Sequence, residues 1–338
     1  MTELAKNLLV WFKNNGRKDL PWQSSPPNIY HVWLSEVMLQ QTQVVTVIVY
    51  FNKFINSFPD IAALAMAEED RVMAAWAGLG YYNRARNLHK TAKIVNAYYS
   101  GIFPSTFEEV VSLPGIGPST AGAILSLGHN LAVPILDGNV KRVLSRYHRL
   151  KGHYSNTSVM KELWRLATFH TPLTKNADYT QAIMDIGATI CVPKNPNCKI
   201  CPVFSHCGSF LNEEQMLFPN KKQKKASRPE KNLAFLIYTN EKKEIFLTKR
   251  PNQGIWGGLW SFEECQDIES SISKTIKKHN NNALVIRRLE RFKHAFSHYN
   301  LWISPILVDS PGGSKNYFEK SSHLKGVPAP VKKIIQAL

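Results

Sequence analysis

The sequence predicts two domains of different class, an all-α domain followed by a smaller α+β domain. Three observations carry this. Residues 1 to 219 repeat apolar side chains at helical spacing and hold few strand signals. The stretch PNKKQKKASRPEK then loses all apolar periodicity, which marks residues 220–231 as a basic linker. From 232 to 338 the apolar period shortens to that of strands, with one helical pattern inside and one at the end. No internal repeat is present.

Taken in order, LAKNLLVWFK (4–13) is an apolar helix that stops at Asn14-Asn15-Gly16. A longer helix is expected from Tyr30 through Gln43, with Trp33, Val37 and Val44 on one face. Another covers the mid-40s to the mid-50s. Pro59-Asp60 opens a short one, and Glu68–Asp70 starts one that reaches Ala77. The glycines of AGLGYY break the pattern before the basic helix NRARNLHKTAKIVNAYY. Beyond the linker, Leu233–Thr239 and Ile245–Lys249 read as strands paired around NEKKE. A loop rich in Gly and Trp (GIWGGLWSF) leads to a helix from Ile268 to His279. Two further strand-like runs, 284–296 and 301–308, flank the turn Ser297-His298-Tyr299-Asn300, and PAPVKKIIQAL is a final helix.

The chain has 338 residues, 44% of them hydrophobic and 20% charged, with a net charge of +17 and a pI near 9.6. That composition is globular. So large a basic excess favours a polyanion, because neutralising phosphates supplies most non-specific affinity for nucleic acid. An anionic membrane surface is the competing partner, but no amphipathic anchor or lipidation signal supports it. The first twenty residues lack the features of a signal peptide. The longest apolar run, Val44 to Phe51, is too short to span a bilayer. Five cysteines, four of them between Cys191 and Cys207, point to a metal site in a reducing compartment rather than a disulfide framework. A cytoplasmic protein is expected.

Chemistry concentrates in three places. The first is LPGIG followed by Pro118, a glycine hairpin between two apolar-periodic segments. Gly115 and Gly117 read as backbone positions that a Cβ would resist, and Pro118 suits the first turn of a helix. Amides at such a turn form a ready anion site, and a phosphate is the natural anion. Twenty-two residues after Gly115, Asp137 opens another helix. It reads either as a helix N-cap or as a carboxylate placed beside the gripped backbone. The second place is Glu36, among apolar neighbours in VWLSEVMLQQTQV. It is either a solvated helix-face glutamate or a buried acid whose raised pKa suits proton donation near neutral pH. Two carboxylates flanking a glycosidic bond suit an oxocarbenium-like transition state. The third is Cys191, Cys198, Cys201 and Cys207, spaced C-x6-C-x2-C-x5-C, which can wrap a 4Fe–4S cluster or zinc. Cys265 stands apart.

Together the hairpin LPGIG, the aspartate of ILDGNVKRVL and the cysteine spacing resemble the endonuclease III superfamily of helix–hairpin–helix DNA glycosylases. SEVMLQQTQV, GLGYYNRARNLHKTA and the triplet FSH are similar to the adenine DNA glycosylases of the MutY type, and the resemblance covers nearly the whole chain. It implies a helix–hairpin–helix glycosylase domain with an iron–sulfur loop, and a Nudix-like C-terminal domain. It implies excision of adenine mispaired with 8-oxoguanine or guanine in double-stranded DNA, by a monomer. Glu36 then takes the position of the acid that protonates adenine N7. Asp137, supported by Asn139, takes that of the carboxylate that stabilises the sugar cation. The four cysteines would hold a 4Fe–4S cluster. Ser119 stands where strand-cutting relatives carry a nucleophilic lysine; serine forms no Schiff base, which implies a monofunctional enzyme.

The same resemblance puts Trp22 and Gln181 in the adenine pocket, although Trp22 lies one residue farther from Glu36 than the family's spacing. Gln41 and Tyr81 fall at the wedge positions that enter the base stack. Thr42, Leu79, Gly115 and Gly117 accompany them as DNA contacts. Phe296, Ser297 and His298 match the element that recognises 8-oxoguanine. The glutamate pairs of active Nudix hydrolases are absent from GGLWSFEECQDIESSISK, so nucleotide hydrolysis is not expected. Two other classes stay in view: a bifunctional glycosylase/lyase of the endonuclease III type, which Ser119 opposes, and a non-catalytic iron–sulfur protein that binds DNA or senses redox state.

Overall fold

The structure, a computed structural model, describes residues 1–221, 228–296, 298–311, 317–318 and 326–338. Two compact units form, Met1–Met66 with Asn87–Lys224, and Ala67–Arg86 with Lys225–Leu338. Ser297 and residues 222–227 of the expected linker lie outside the described residues. Among the described residues no helix is long and apolar enough to cross a membrane.

The first unit is helical. It begins with α1 (Glu3–Asn15), α2 (Ile29–Leu39), α3 (Val44–Ser57) and α4 (Ile61–Met66). The helix α5 (Glu69–Trp76) belongs to the second unit, and α6 (Asn83–Tyr98) carries the chain back. Then follow α7 (Phe107–Ser112), α8 (Pro118–His129), α9 (Gly138–Tyr147), α10 (Thr157–His170), α11 (Asn176–Thr189) and the short α12 (Gly208–Leu211). Polar caps set several starts: Thr2, Asn28, Thr106, Asp137 and Asn156 each accept a backbone N–H of the first turn. Leu8 and Phe12 of α1, Val140 and Leu144 of α9, Leu163 of α10 and Ile183 of α11 pack into one core.

The helix expected from Tyr30 through Gln43 ends at Leu39. Gln41 adopts a left-handed conformation (φ 59°), which no α-helix accommodates, and Thr42 N–H turns back to the Leu39 carbonyl at 3.2 Å. In the hairpin the two glycines differ. Gly115 has φ 79°, and a Cβ there would meet Asn87 Cβ at 2.7 Å. Gly117 has φ −92° and ψ 172°, extended backbone open to any residue, and a Cβ there would meet nothing within 4 Å. The expectation that both glycines are conformational therefore holds for Gly115 and fails for Gly117, which caps α8 ahead of Pro118 without a side-chain hydrogen bond.

The second unit is built on β1 (Glu230–Thr239), β2 (Ile245–Phe246), β3 (Thr248–Lys249), β4 (Trp260–Ser261) and β5 (Glu263–Cys265). After α13 (Glu269–His279) come β6 (Leu284–Arg288), β7 (Phe292–Ala295), β8 (Asn300–Asp309), β9 (Tyr317–Phe318) and α14 (Ala329–Ala337). A seven-stranded sheet runs β6-β8-β1-β2-β9, with β5 also on β1 and β7 also on β8, while β3 and β4 pair separately. β1 begins at Glu230, inside the expected linker, because it pairs in parallel with β8 from Glu230↔Asn300 to Thr239↔Asp309. Ile272 and Ile276 of α13 cover Ala234, Leu236 and Tyr238.

Ala67–Arg86, which the sequence places in the helical domain, is held within this unit. Asp70 accepts from Lys249 Nζ at 2.6 Å and from Trp260 Nε1 at 3.3 Å, and Arg86 donates to the Gly257 carbonyl.

Gly115→Ala is expected to cost the first unit about 1–3 kcal/mol, through the left-handed backbone and the Asn87 clash together. Gly117→Ala should change stability by no more than about 0.5 kcal/mol. Paired thermal melts of the two variants check this.

Candidate active site

A cavity of about 470 Å³ opens in the first unit. α2 contributes Glu36, the start of α8 contributes Ser119, and Asp137 and Asn139 come from the start of α9. Gln181 of α11, with Trp22 and Thr42 from loops, completes the set of predicted residues that line it. Trp22 is buried edge-on to Phe51, 5.5 Å between ring centroids, so the longer spacing to Glu36 does not remove it from the wall.

Glu36 sits where its neighbours Ser35, Val37 and Met38 are all buried. Burial, and secondly the charge of Asp137, raise its pKa from the ordinary 4.5 to about 8. Asp137 is held on both oxygens: Oδ1 accepts the Val140 N–H at 2.7 Å and Oδ2 accepts the Asn139 amide at 3.2 Å. The two readings of Asp137, cap and site carboxylate, are thus met by one side chain. Ser119 Oγ accepts the Leu136 N–H at 3.0 Å, which fixes the strand that delivers Asp137.

The other predicted residues fall elsewhere. Gln41 is exposed at the left-handed turn after α2, and Gly115 and Gly117 are exposed in the hairpin. Tyr81, in the second unit, is 51% exposed and also left-handed, with φ 48°. Leu79 departs from its expected role as a DNA contact: it is 6% exposed, so its side chain packs inward. Phe296 and His298 belong to the second unit's β7–β8 turn, where Phe296 N–H meets the Tyr299 carbonyl at 2.9 Å. Phe296 lies 5.2 Å from Trp256 and 4.8 Å from Tyr299, in an aromatic cluster beside the exposed His298.

Cys191, Cys198, Cys201 and Cys207 line one further cavity of the first unit, whose wall is otherwise mainly apolar. Among the described residues no three His, Cys, Asp or Glu side chains converge on a single ion position. Arg146, 3% exposed, donates to Cys191 Sγ at 3.3 Å and to the carbonyls of Val192, Pro193, Gln215 and Phe218 at 2.8–3.1 Å. Arg142, one turn earlier, joins the Asn139 side chain at 2.9 Å to the Cys191 carbonyl at 2.6 Å. The approach of α11 to α9 here needs Gly187, since a Cβ would meet Asn139 Cβ at 2.5 Å.

Sequence reasoning missed Arg17, Asp185, Arg142 and Arg146. Asp185 lies one helical turn after Gln181, and Arg142 and Arg146 lie one and two turns into α9, so helical spacing carried a signal for these three. None marked Arg17.

A model of the HhH-GPD superfamily base excision DNA repair protein matches residues 34–168, and a NUDIX domain model matches 234–337. The adenine DNA glycosylase of Buchnera aphidicola subsp. Baizongia pistaciae is 44% identical, over 99% of this chain and 97% of its own length. The chain belongs to the adenine DNA glycosylase family. Its human member is 31% identical over 99% of this chain and 74% of its own length. Among solved structures, a thermostable thymine-DNA glycosylase matches with a TM-score of 0.55 and 27% identity over 62% of this chain and 95% of its own. Endonuclease III from a non-covalent DNA complex, at 18% identity, shares the fold with a TM-score of 0.53, over 62% of this chain and 94% of its own.

The raised Glu36 carboxyl has a sign that can be tested. The folded protein keeps a proton that the unfolded chain releases near pH 4.5, so this contribution is complete below about pH 4.5 and is lost as pH rises through about 8. Glu36→Gln removes the dependence. Its thermal midpoint should gain on that of the unaltered protein as pH is raised from about 5 to about 8.

Proposed function

We propose that the protein hydrolyses the N-glycosidic bond of adenine paired with 8-oxoguanine, or with guanine, in double-stranded DNA, and leaves the strand uncut. One observation carries the reading. Glu36, held protonated near neutral pH, and Asp137, held by two N–H donors, face the same cavity. Glu36 gives its proton to N7 of the extruded adenine, which makes the base a better leaving group. Asp137 offsets the charge that grows on the sugar and steadies the attacking water, with Asn139 orienting it. Gln181 and Trp22 flank the base. Ser119 presents a hydroxyl engaged with the Leu136 N–H, and no amine capable of a Schiff base.

The exposed Gly115–Gly117 hairpin and the start of α8 take a phosphate through backbone amides. The open space at Gly117 lets that phosphate approach the chain closely. Gln41 and Tyr81 act as wedges, and the left-handed backbone at both presents exposed side chains at turns. Phe296, Ser297 and His298 read the 8-oxoguanine edge; of these, Ser297 lies outside the described residues.

The four cysteines would hold a 4Fe–4S cluster. The donor set fits: four soft thiols border one cavity, and a buried arginine that donates to Cys191 Sγ would face the negative charge of a thiolate-ligated cluster. Bound there, the cluster cross-links the loop that carries the exposed Lys194 and Lys199, cations suited to phosphate. The protein acts as a cytoplasmic monomer.

An 8-oxoguanine:adenine duplex should yield an abasic site and no borohydride-trapped adduct. Glu36→Gln should bind this duplex normally and release adenine at least about a hundredfold more slowly. Adenine release by that variant at the normal rate would reject Glu36 as the acid, and binding without any release by the unaltered protein would leave a non-catalytic DNA-binding role. The purified protein should contain iron and acid-labile sulfide; a colourless zinc protein would reject the cluster.

A further inference from the structure

The hydrogen-bonding polarity of the cavity wall is set from behind Gln181. Asp185 follows it by one turn of α11 and is fully buried, at 0% exposure. Its carboxylate accepts four N–H groups. Three come from Arg17: the backbone N–H at 2.9 Å, Nε at 2.8 Å and Nη2 at 2.6 Å. The fourth is Gln181 Nε2, at 2.8 Å. A carboxylate paired to an arginine only accepts hydrogen bonds. The amide nitrogen of Gln181 must therefore face Asp185; the flipped amide would press oxygen against oxygen at a fully buried carboxylate. Gln181 itself lines the cavity, so with Nε2 turned to Asp185 its carbonyl oxygen is available to an occupant.

We propose that Asp185, anchored by Arg17, is a positioning residue that makes the cavity selective for a 6-aminopurine. It locks Gln181 with an acceptor toward the base, and the exocyclic amine of adenine supplies the matching donor. A 6-oxopurine would set its own carbonyl against that acceptor, and purine, which lacks any 6-substituent, would leave it unpaired. Arg17 matters in a second way. It also lines the cavity, and its engagement with Asp185 keeps a cation from turning to Glu36. The inference rests on the base-excision reading above.

The test measures single-turnover release of adenine, purine and hypoxanthine, each placed opposite 8-oxoguanine in otherwise identical duplexes. In Asp185→Asn the residue behind Gln181 can donate as well as accept, so the amide is free to turn. The preference for adenine over hypoxanthine should fall by about tenfold or more, the equivalent of one hydrogen bond, in protein shown to be folded by its thermal midpoint. Gln181→Met leaves the Asp185–Arg17 pair in place and should lose the same preference. An unchanged preference in folded Asp185→Asn overturns the proposal; if that variant does not fold, an unchanged preference in Gln181→Met does so. Failure of the unaltered protein to release adenine from any duplex overturns the base-excision reading instead, because misorientation of Gln181 affects only the variants.

Discussion

The candidate active-site cavity is organised around one carboxyl group, that of the half-buried Glu36, whose surroundings favour its neutral form. Burial alone favours the neutral form, and a second carboxylate, Asp137, favours it further. An arginine turned toward Glu36 would undo this. Arg17 lines the same cavity and is held by the buried Asp185. Arg17 thereby satisfies both carboxylate oxygens of Asp185. Glu36 is consequently a group whose cost to stability grows as pH rises toward about 8.

Helix α9 carries the complementary half of the arrangement. Asp137 caps it, Asn139 lies in its first turn, and Arg142 and Arg146 follow on the side that meets the cysteine loop. The apolar stripe of Val140, Val143 and Leu144 fixes the rotation of the helix against the core. Once that rotation is set, both arginines reach the Cys191 carbonyl. Arg146 alone bonds to five carbonyls and a sulfur, so it joins the loop bearing Cys191 to the segment ending at Phe218. A buried guanidinium satisfied in this way is costly to break, because its partners would be left unpaired. The cysteine cavity and Asp137 therefore share one support.

The second unit gathers residues that stand far apart in the chain. Asp70 and Arg86 tie Ala67–Arg86 to the strands and loops beyond residue 225, so Tyr81 and the Phe296 turn belong to one compact body. Tyr81 and Gln41 both hold left-handed backbone without being glycine, a conformation that costs of order 1 kcal/mol and persists only where the surroundings impose it.

Much of this was legible in the residues. Capping residues and apolar spacing mark most of the helices, and the hairpin, the cysteine spacing and the two carboxylates stand in order along the chain. These are local features, and local chemistry determines them: Pro118 starts a helix and Asp137 caps one wherever they occur. The end of α2 was misjudged because its apolar pattern continues past Leu39, whereas Gln41 turns the backbone left-handed. Gly117 was misjudged because two glycines in one hairpin look alike until φ is known. Only the tertiary structure decided that Glu36 is half-buried in a cavity wall rather than on a solvated helix face, since that depends on α2 meeting α8, about eighty residues away. It alone paired Arg17 with Asp185, 168 positions apart, and grouped Ala67–Arg86 with the sheet. Spacing along a chain fixes which side of an element a residue occupies; which other element covers that side is settled by packing.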